Sequence, residues 1–498
     1  EIMWKADFSS KKDYSAFSKY LNWLINFSIY VDGKKYDVSY AVWRKDTVLC
    51  RMFEDWYITQ DELKEALLEW FTIELRRAGF EIKAPHFVMR VVSLLEKQYD
   101  QETLKNWWLT VKTSLDLDIQ EIAESSLKNN KSKLEVYGAT NEAMVYLDSI
   151  NWDVLAYVWS FDYFNEEIKW QNDMVQSARQ VWSSIKPLIY ALGFMKLPLT
   201  IDTPIYDIPF KVWADRPNNS DGRWLGILPL RNALAYSRNI PAVKMITALG
   251  WQDVALPYLR SIGMTSLSAT GDYWYPLALW AWEIPLIELA TAYMHLSTPQ
   301  PWVVDPILEI RSKDWALIYQ KWNKKQEQVI PSGVWYVMWT ILSDPANMPD
   351  WWRSAYTVRW LKLWVKSGTS NMKTPKWDRA RDGLLATYTP SKVAVFWWGN
   401  ADWSAMYSNA YGWFLNAEAM RDFWSTLLAN NYIANEWMTE VEVGRATISK
   451  ISWKLATDST PSEFKVTSMW YINTLPGEAD AWATPIEFDG SCGGLSSP

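Results

Sequence analysis

Arg179-Gln-Val-Trp-Ser-Ser-Ile-Lys-Pro187 is the stretch on which the reading of this chain turns. Ser183 and Lys186 stand three residues apart, so on a helix both side chains lie on one face and can hydrogen-bond. A serine hydroxyl is a weak nucleophile until a base takes its proton. Lysine serves as that base only when burial or a neighbouring cation lowers its pKa. The spacing alone is weak, because Ser9/Lys12, Ser125/Lys128, Ser370/Lys373 and Ser462/Lys465 share it. Trp182 is the anomaly here: a bulky indole precedes the serine where the turn calls for no side chain.

Order supplies the missing specificity. Ser237-Arg-Asn239 follows Ser183, and Lys366-Ser-Gly-Thr369 follows Lys186, with no other K-[ST]-G in the chain. Lys366 supplies the second cation that depresses Lys186 and binds a substrate carboxylate. Ser237 relays a proton to the leaving group, and Asn239 holds a substrate amide. Gly368 lets a strand edge approach the substrate backbone closely. The backbone N–H groups of Ser183 and Thr369 form an oxyanion hole, with Ser367 beside them in the substrate strand. This trio of motifs is that of serine β-lactamases and penicillin-binding proteins.

Working outward, the oddity at Trp182 proves chain-wide. Of 498 residues, 36 are Trp and only 19 are Gly, and that Gly share is about half of the usual ~7%. Two hairpins show where the tryptophans sit. Ala143–Asp148 and Val154–Val158 are strand-like runs joined through Asn151-Trp152, and Ile307–Ile310 and Ala316–Tyr319 are joined around Asp314-Trp315. Tight hairpins want Asn-Gly or Asp-Gly, because their turns need positive φ. An apolar-face tryptophan follows a helix or strand period; these fall in turns. We therefore read many tryptophans as standing where glycine belongs, against the alternative of a tryptophan-rich core or sugar-stacking platform.

Composition bounds the remaining choices. The chain is too long for one ordinary domain. Its formal net charge of −7 argues against a nucleic-acid partner. Two histidines, His86 and His295, lie near no Ser/Asp cluster and read as structural. Cys50 and Cys492 match no metal spacing, and neither a metal nor a cofactor is expected. No run of 18 apolar residues is present. With no initiator Met or signal pattern at Glu1, the chain reads as a fragment whose N-terminal part, anchor included, has been removed.

The motifs and their flanks resemble a bifunctional class A penicillin-binding protein. Arg179–Pro187 resembles the family's R-Q-P-G-S-x-x-K-P. Asp221-Gly222 and Leu230-Arg-Asn-Ala-Leu-Ala-Tyr-Ser-Arg-Asn-Ile-Pro-Ala-Val243 resemble its S-x-N segment. Lys366-Ser-Gly-Thr-Ser370, Tyr388-Thr-Pro390 and Trp398-Gly-Asn400 resemble its third motif. Val48–Thr59 looks like the tail of the glycosyltransferase domain, and Leu109–Asp116 like the linker strand. Trp56, Trp107, Trp108, Trp152, Trp159, Trp182, Trp274, Trp280, Trp282, Trp315, Trp413 and Trp453 sit where such proteins carry Gly. Restoring those twelve brings Gly to about 6%, near the usual share. A conceptual translation assigning UGA to Trp, in an organism that reads it as glycine, produces this pattern.

The resemblance implies an α+β fold: the serine β-lactamase/D,D-transpeptidase type, an antiparallel sheet flanked by helices. It also implies a helical N-terminal remnant (1–85, helical from about 41 to 80), a linker (86–136, with a strand at Thr110–Leu115 and a helix from about Asp118), a transpeptidase domain (137–432) and a small C-terminal β region (433–498). The implied activity is penicillin-sensitive D,D-transpeptidation, with catalytic Ser183, Lys186, Ser237 and Lys366 and substrate-binding Asn239, Ser367, Gly368 and Thr369. Stem peptides and glycan strands of peptidoglycan are the expected partners and β-lactams the inhibitors. The outer face of the cytoplasmic membrane is the expected location, the membrane being reached only through the missing anchor. No glycan polymerisation is expected, since the glycosyltransferase signatures are absent. Two alternatives stay open: a D,D-carboxypeptidase or β-lactamase-type hydrolase, and a non-catalytic glycan-binding scaffold.

Overall fold

A computed structural model of the chain describes residues 28–31, 34–37, 49, 51–69, 82–100, 103–104, 108–161, 172–212, 215–271, 273, 275–279, 283–297, 304–322, 327–373, 378–407, 410, 415–450, 452, 454–471, 487–488 and 495–496. The chain divides into two compact units, Glu1–Glu81 and Ile82–Pro498. In the first, strands Ser28–Val31 and Lys34–Asp37 pair antiparallel, and a helix runs Gln60–Glu69. That helix starts on a capping box, Thr59-Gln-Asp-Glu62. Thr59 N donates to Glu62 Oε2 at 2.7 Å, and Glu62 N returns the bond to Thr59 Oγ1 at 3.3 Å. The remainder of the helical stretch expected over 41–80 lies outside the described residues.

The second unit is built on a five-stranded antiparallel sheet: β1 (Asn141–Asp148), β2 (Asp153–Val158), β3 (Trp364–Lys373), β4 (Asp378–Tyr388) and β5 (Lys392–Gly399), in the order β3-β4-β5-β1-β2. Side chains alternate across a strand, and both faces of this sheet are buried. Ala143, Val145, Leu147, Val393, Val395 and Trp397 join one core. Met144, Tyr146, Ala394 and Phe396 join another. On the second face lie helices α1 (Leu117–Val136) and α5 (Ala417–Ala429), through Ile119, Ala123, Leu127, Met420, Phe423 and Trp424. On the first face lies α4 (Leu286–Met294), and α2 (Lys186–Lys196) and α3 (Asn239–Ala248) belong to the same core. This is the expected α+β sheet with helices on both faces.

The linker strand and helix also form. Thr110–Thr113 pairs with Ile307–Arg311, itself paired with Leu317–Gln320, in a separate three-stranded sheet. Asp116 caps α1 by accepting from Asp118 N and Ile119 N, at 3.1 Å each. The strands expected after 435 are present as the hairpin Val443–Ser449/Lys465–Tyr471. His86 and His295 are buried, and burial drives their pKa values down to about 3 and about 4, so both stay neutral.

Backbone geometry bears directly on the tryptophans. Among the described residues, twelve non-glycine residues have positive φ, and eight of them are Trp: 56, 108, 152, 182, 251, 315, 360 and 403. Asn, Asp and His normally dominate that class, and a bulky residue there is an outlier. At about 1–2 kcal/mol each, eight such residues cost about 10 kcal/mol, comparable with the whole stability of a typical domain. Trp56, Trp108, Trp152, Trp182 and Trp315 were expected from sequence; Trp251, Trp360 and Trp403 were not. Trp159 differs from these: its φ is not positive, and its indole packs on His86 with ring centroids 5.1 Å apart. Trp107, Trp274, Trp280, Trp282, Trp413 and Trp453 lie outside the described residues.

Turn position and core burial prove compatible. Trp152 closes the β1–β2 hairpin at φ 57°, yet its indole is fully buried. Buried indole N–H groups normally find an acceptor. Those of Trp152, Trp335, Trp364, Trp398 and Trp470 have none, which costs about 1–3 kcal/mol apiece.

Candidate active site

Ser183 sits in a 3₁₀ turn, Trp182–Ile185, that runs straight into α2 at Lys186. Pro187 follows at the start of the helix, where its missing N–H has no intrahelical acceptor to lose. From Lys186 to Phe194 every residue of α2 is buried. The helix is therefore a central core element, apolar nearly all round. Lys186 is carried into the interior by that packing, whereas Ser183, one turn earlier, stays partly exposed at the surface of the site.

The three motifs converge on the head of this helix. Lys186 Nζ donates to Ser237 O and to Asn239 Oδ1, both at 2.7 Å. Lys366 Nζ, from β3, donates to Ser237 Oγ and to Ser367 O, both at 2.8 Å. Ser237 therefore bridges the two lysines, with its hydroxyl toward one and its carbonyl toward the other. It does so at φ 58°, a left-handed conformation held by its surroundings.

Two sequence expectations change in detail. Neither bond of Lys186 goes to Ser183; its buried amine takes the strongest fixed acceptors within reach, and here these are the Ser237 carbonyl and the Asn239 amide oxygen. Asn239 was expected to hold a substrate amide. Its Oδ1 is occupied by Lys186 and its Nδ2 donates to Asn218 O at 3.0 Å, which leaves one amide hydrogen. Gly368 also permits a close approach of β3 to the serine turn. A Cβ there would stand 2.7 Å from Val181 O and 3.3 Å from Ser184 N. Ser367 is buried behind the strand, and Thr369 lies partly exposed at the end of the β3–β4 register before a bulge.

Electrostatics suit proton transfer. Burial, then Lys366, then Arg238 push the Lys186 pKa well below the usual lysine range, and Asp207 opposes them. Burial pulls Lys366 down to about 7. Two buried lysines held on one residue, Ser237, are an arrangement that makes an amine a base near neutral pH.

Sequence reasoning missed two supports of the turn. Tyr293 Oη, from α4, donates to Ser184 O, and its ring packs on Trp364 with centroids 5.0 Å apart. Arg179, on the short strand before the turn, donates from Nη2 to Ala401 O at 2.9 Å and stands 3.5 Å from the buried Asp382 carboxylate. Its guanidinium lies 3.8 Å from the Trp403 ring centroid. Trp182, at φ 46°, donates its indole N–H to Gln180 Oε1 at 3.0 Å and immediately precedes Ser183.

Among the described residues no group of acidic, His and Cys side chains is placed to hold a metal, and no helix is long and apolar enough to cross a membrane.

Comparison with known proteins points the same way. Residues 142–429 match the penicillin binding protein transpeptidase domain family. Penicillin-binding protein 1A of Neisseria meningitidis serogroup A is 27% identical over 247 residues, which cover 47% of this chain and 30% of that protein. Penicillin-binding protein 1A of Haemophilus influenzae is 32% identical over 200 residues, 37% of this chain and 22% of that protein. The matches thus span about a third or less of the relatives' length. In fold, the chain is similar to the crystal structure of the Haemophilus influenzae protein, with a TM-score of 0.66, 17% identity and coverage of 88% of this chain and 82% of that one. It is also similar to PonA1 of Mycobacterium tuberculosis in complex with penicillin V, with a TM-score of 0.61, 18% identity and coverage of 72% and 96%.

Proposed function

From the premise that this chain belongs to the penicillin-binding-protein transpeptidase family, whose match spans more than half of it, we propose that it cross-links peptidoglycan through an acyl-enzyme on Ser183 and that β-lactams acylate the same serine. The observation that carries this is the convergence of Lys186 and Lys366 on Ser237, beside the partly exposed Ser183.

The geometry supports neutral Lys186 as the base. A neutral amine has two hydrogens and one lone pair. Ser237 O and Asn239 Oδ1 engage both hydrogens, so the lone pair remains for the Ser183 proton. Ser183 Oγ attacks the penultimate D-Ala carbonyl, and the N–H groups of Ser183 and Thr369 receive the oxyanion. A proton passes through Ser237 to the terminal D-Ala nitrogen as that residue leaves. An amine of a neighbouring stem peptide then displaces Ser183. Lys366 holds the substrate carboxylate, with Ser367, Gly368 and Thr369 forming the edge along which the stem peptide lies. The work is done in the cell envelope, on the outer face of the cytoplasmic membrane.

We also propose that the left-handed tryptophans are glycines in the native protein, through UGA read as glycine. The clustering of Trp in the left-handed region supports this. One experiment addresses both proposals: tandem mass spectrometry of the native protein after penicillin labelling, reading the peptide from Gln180 to Lys196. An adduct on Ser183 with glycine at 182 is expected. Absence of an adduct defeats the acyl-enzyme, and tryptophan at 182 defeats the recoding.

A further inference from the structure

We propose that Asp207 is a positioning residue for acylation, fixing Ser237 and Asn239 through Arg238 and Asn219 and thereby aiming the Lys186 amine. This rests on Ser183 and Lys186 being the acylating pair.

Asp207 ends the strand Pro204–Asp207, which pairs with Gly226–Pro229, and it is fully buried. Its carboxylate is surrounded by donors. Oδ2 accepts from Arg238 Nε at 2.8 Å and from Leu225 N at 3.1 Å, and Oδ1 accepts from Asn219 Nδ2 at 2.7 Å. Arg238 is the middle residue of the second motif. Its remaining nitrogens donate to Asp221 Oδ2 at 2.9 Å and to Arg223 O. Asn219 reaches the other side of that motif. Its Oδ1 accepts from Asn239 N at 2.8 Å and Ile240 N at 3.3 Å.

Those two N–H groups are the open donors at the start of α3. Arg238, the residue preceding the helix, offers no side-chain cap. Asn219 supplies the cap from a distant loop, and Asp207 holds Asn219. Arg238, between Ser237 and Asn239, and the head of α3 at Asn239 are therefore both clamped to one buried carboxylate.

The clamp explains how Ser237 keeps φ 58°. A left-handed serine persists only where its neighbours over-determine it. If Arg238 is released, the peptide can relax. The Ser237 carbonyl then leaves Lys186, its hydroxyl leaves Lys366, and the Asn239 amide loses its aim. Misplacement of a catalytic group by about 1 Å costs on the order of a hundred-fold in rate.

Acylation of the full chain by a fluorescent penicillin, with saturation resolving the chemical rate from binding, tests this. The Asp207→Asn variant should lose ten- to a hundred-fold in the chemical rate, with binding nearly unchanged. Its pH profile separates positioning from mere structure. The charges facing Lys186 are Lys366, Arg238 and Asp207, and of these only Asp207 favours its ammonium form. Removing that charge moves the acid limb of acylation to lower pH. Lys321→Met, which breaks an ion pair to Asp153 at the outer sheet, controls for lost stability. An unmoved acid limb, or a loss no larger than the control's, overturns the proposal. Should Asp207→Asn fail to fold, Asp221→Asn carries the test, because Asp221 is half-exposed and its loss cannot collapse the core. It should lower the chemical rate about three-fold, and no change there would sink the idea. Parent protein that forms no adduct at all refutes instead the acyl-enzyme on which this rests.

Discussion

The turn at Trp182 and the hairpin turn at Trp315 place the same residue type in the same backbone region, at φ 46° and φ 61°. Their surroundings differ. Trp315 is 70% exposed at the tip of the outer three-stranded sheet, so its indole meets mostly water. Trp182 lies half-buried against Gln180, next to the nucleophile, with Gly368 pressing β3 onto the turn two residues on. The backbone demands glycine in both places for one reason, positive φ. Of the two, only Trp182 also stands next to Ser183, the proposed nucleophile. A sequence anomaly is thus one physical defect with two consequences, strain everywhere and obstruction at one site.

The largest expected effect contrasts the lysines of these two regions. Lys366 is buried in the site and its pKa falls to about 7. Lys321, near the outer hairpin, donates to Asp153 Oδ1 at 2.8 Å and to Trp152 O at 3.1 Å. Between about pH 7 and pH 10 the unfolded chain binds a proton at Lys366 that the native chain does not. Stability therefore rises with pH across that window, and Lys366 weakens the fold at neutral pH. Lys366→Met should abolish acylation by at least about a hundred-fold while raising the melting temperature. Lys321→Met should do the opposite, lowering the melting temperature and leaving acylation intact. A destabilised Lys366→Met would mean that Lys366 helps to hold the fold together. The same value predicts that acylation of the parent chain falls above neutral pH as Lys366 loses its charge.

Next in size is the obstruction itself. Trp182→Gly should speed penicillin acylation on the order of ten-fold or more, by letting the serine turn settle beneath a bound ligand. Trp315→Gly should leave the rate untouched. Equal effects at the two turns would collapse the distinction between strain and obstruction, and no effect at Trp182 would show that the indole lies clear of the ligand.

What sequence could and could not supply follows from how each feature is encoded. Ser183/Lys186, Ser237/Asn239 and Lys366–Thr369 were legible because chemistry compresses them into short triplets of unusual residues in fixed order. The two hairpins were legible because alternating apolar runs flank their turns. Trp251, Trp360 and Trp403 were not, since they sit at a helix start and in irregular turns without such flanks. For Trp159 the resemblance alone suggested glycine, and its backbone adds no demand of its own. Asp207 and Asn219 are single residues of common type in the segment between the first and second motifs. Only the fold brings them behind the second motif, and no spacing rule marks them. The contact of Gly368 with the serine turn was not legible either, because it is tertiary.

The smallest effect is the cleanest test of strain alone. At position 315 the side chain is exposed, so shortening it opens no cavity, and stability changes there report backbone conformation. Trp315→Gly removes the Cβ that clashes in the left-handed region. Trp315→Ala keeps it. Glycine should therefore be the more stable of the two by about 1 kcal/mol, even after its extra freedom in the unfolded chain is counted. In a chain this large that is about 2 °C in melting temperature. At position 152 the same comparison should be muddied, because the indole is fully buried and its loss costs about 3–5 kcal/mol of packing if the core cannot close. A Trp152→Gly chain that nonetheless melts higher would show that the surrounding core is shaped for glycine there. Strain and packing would then point to the same residue at both turns.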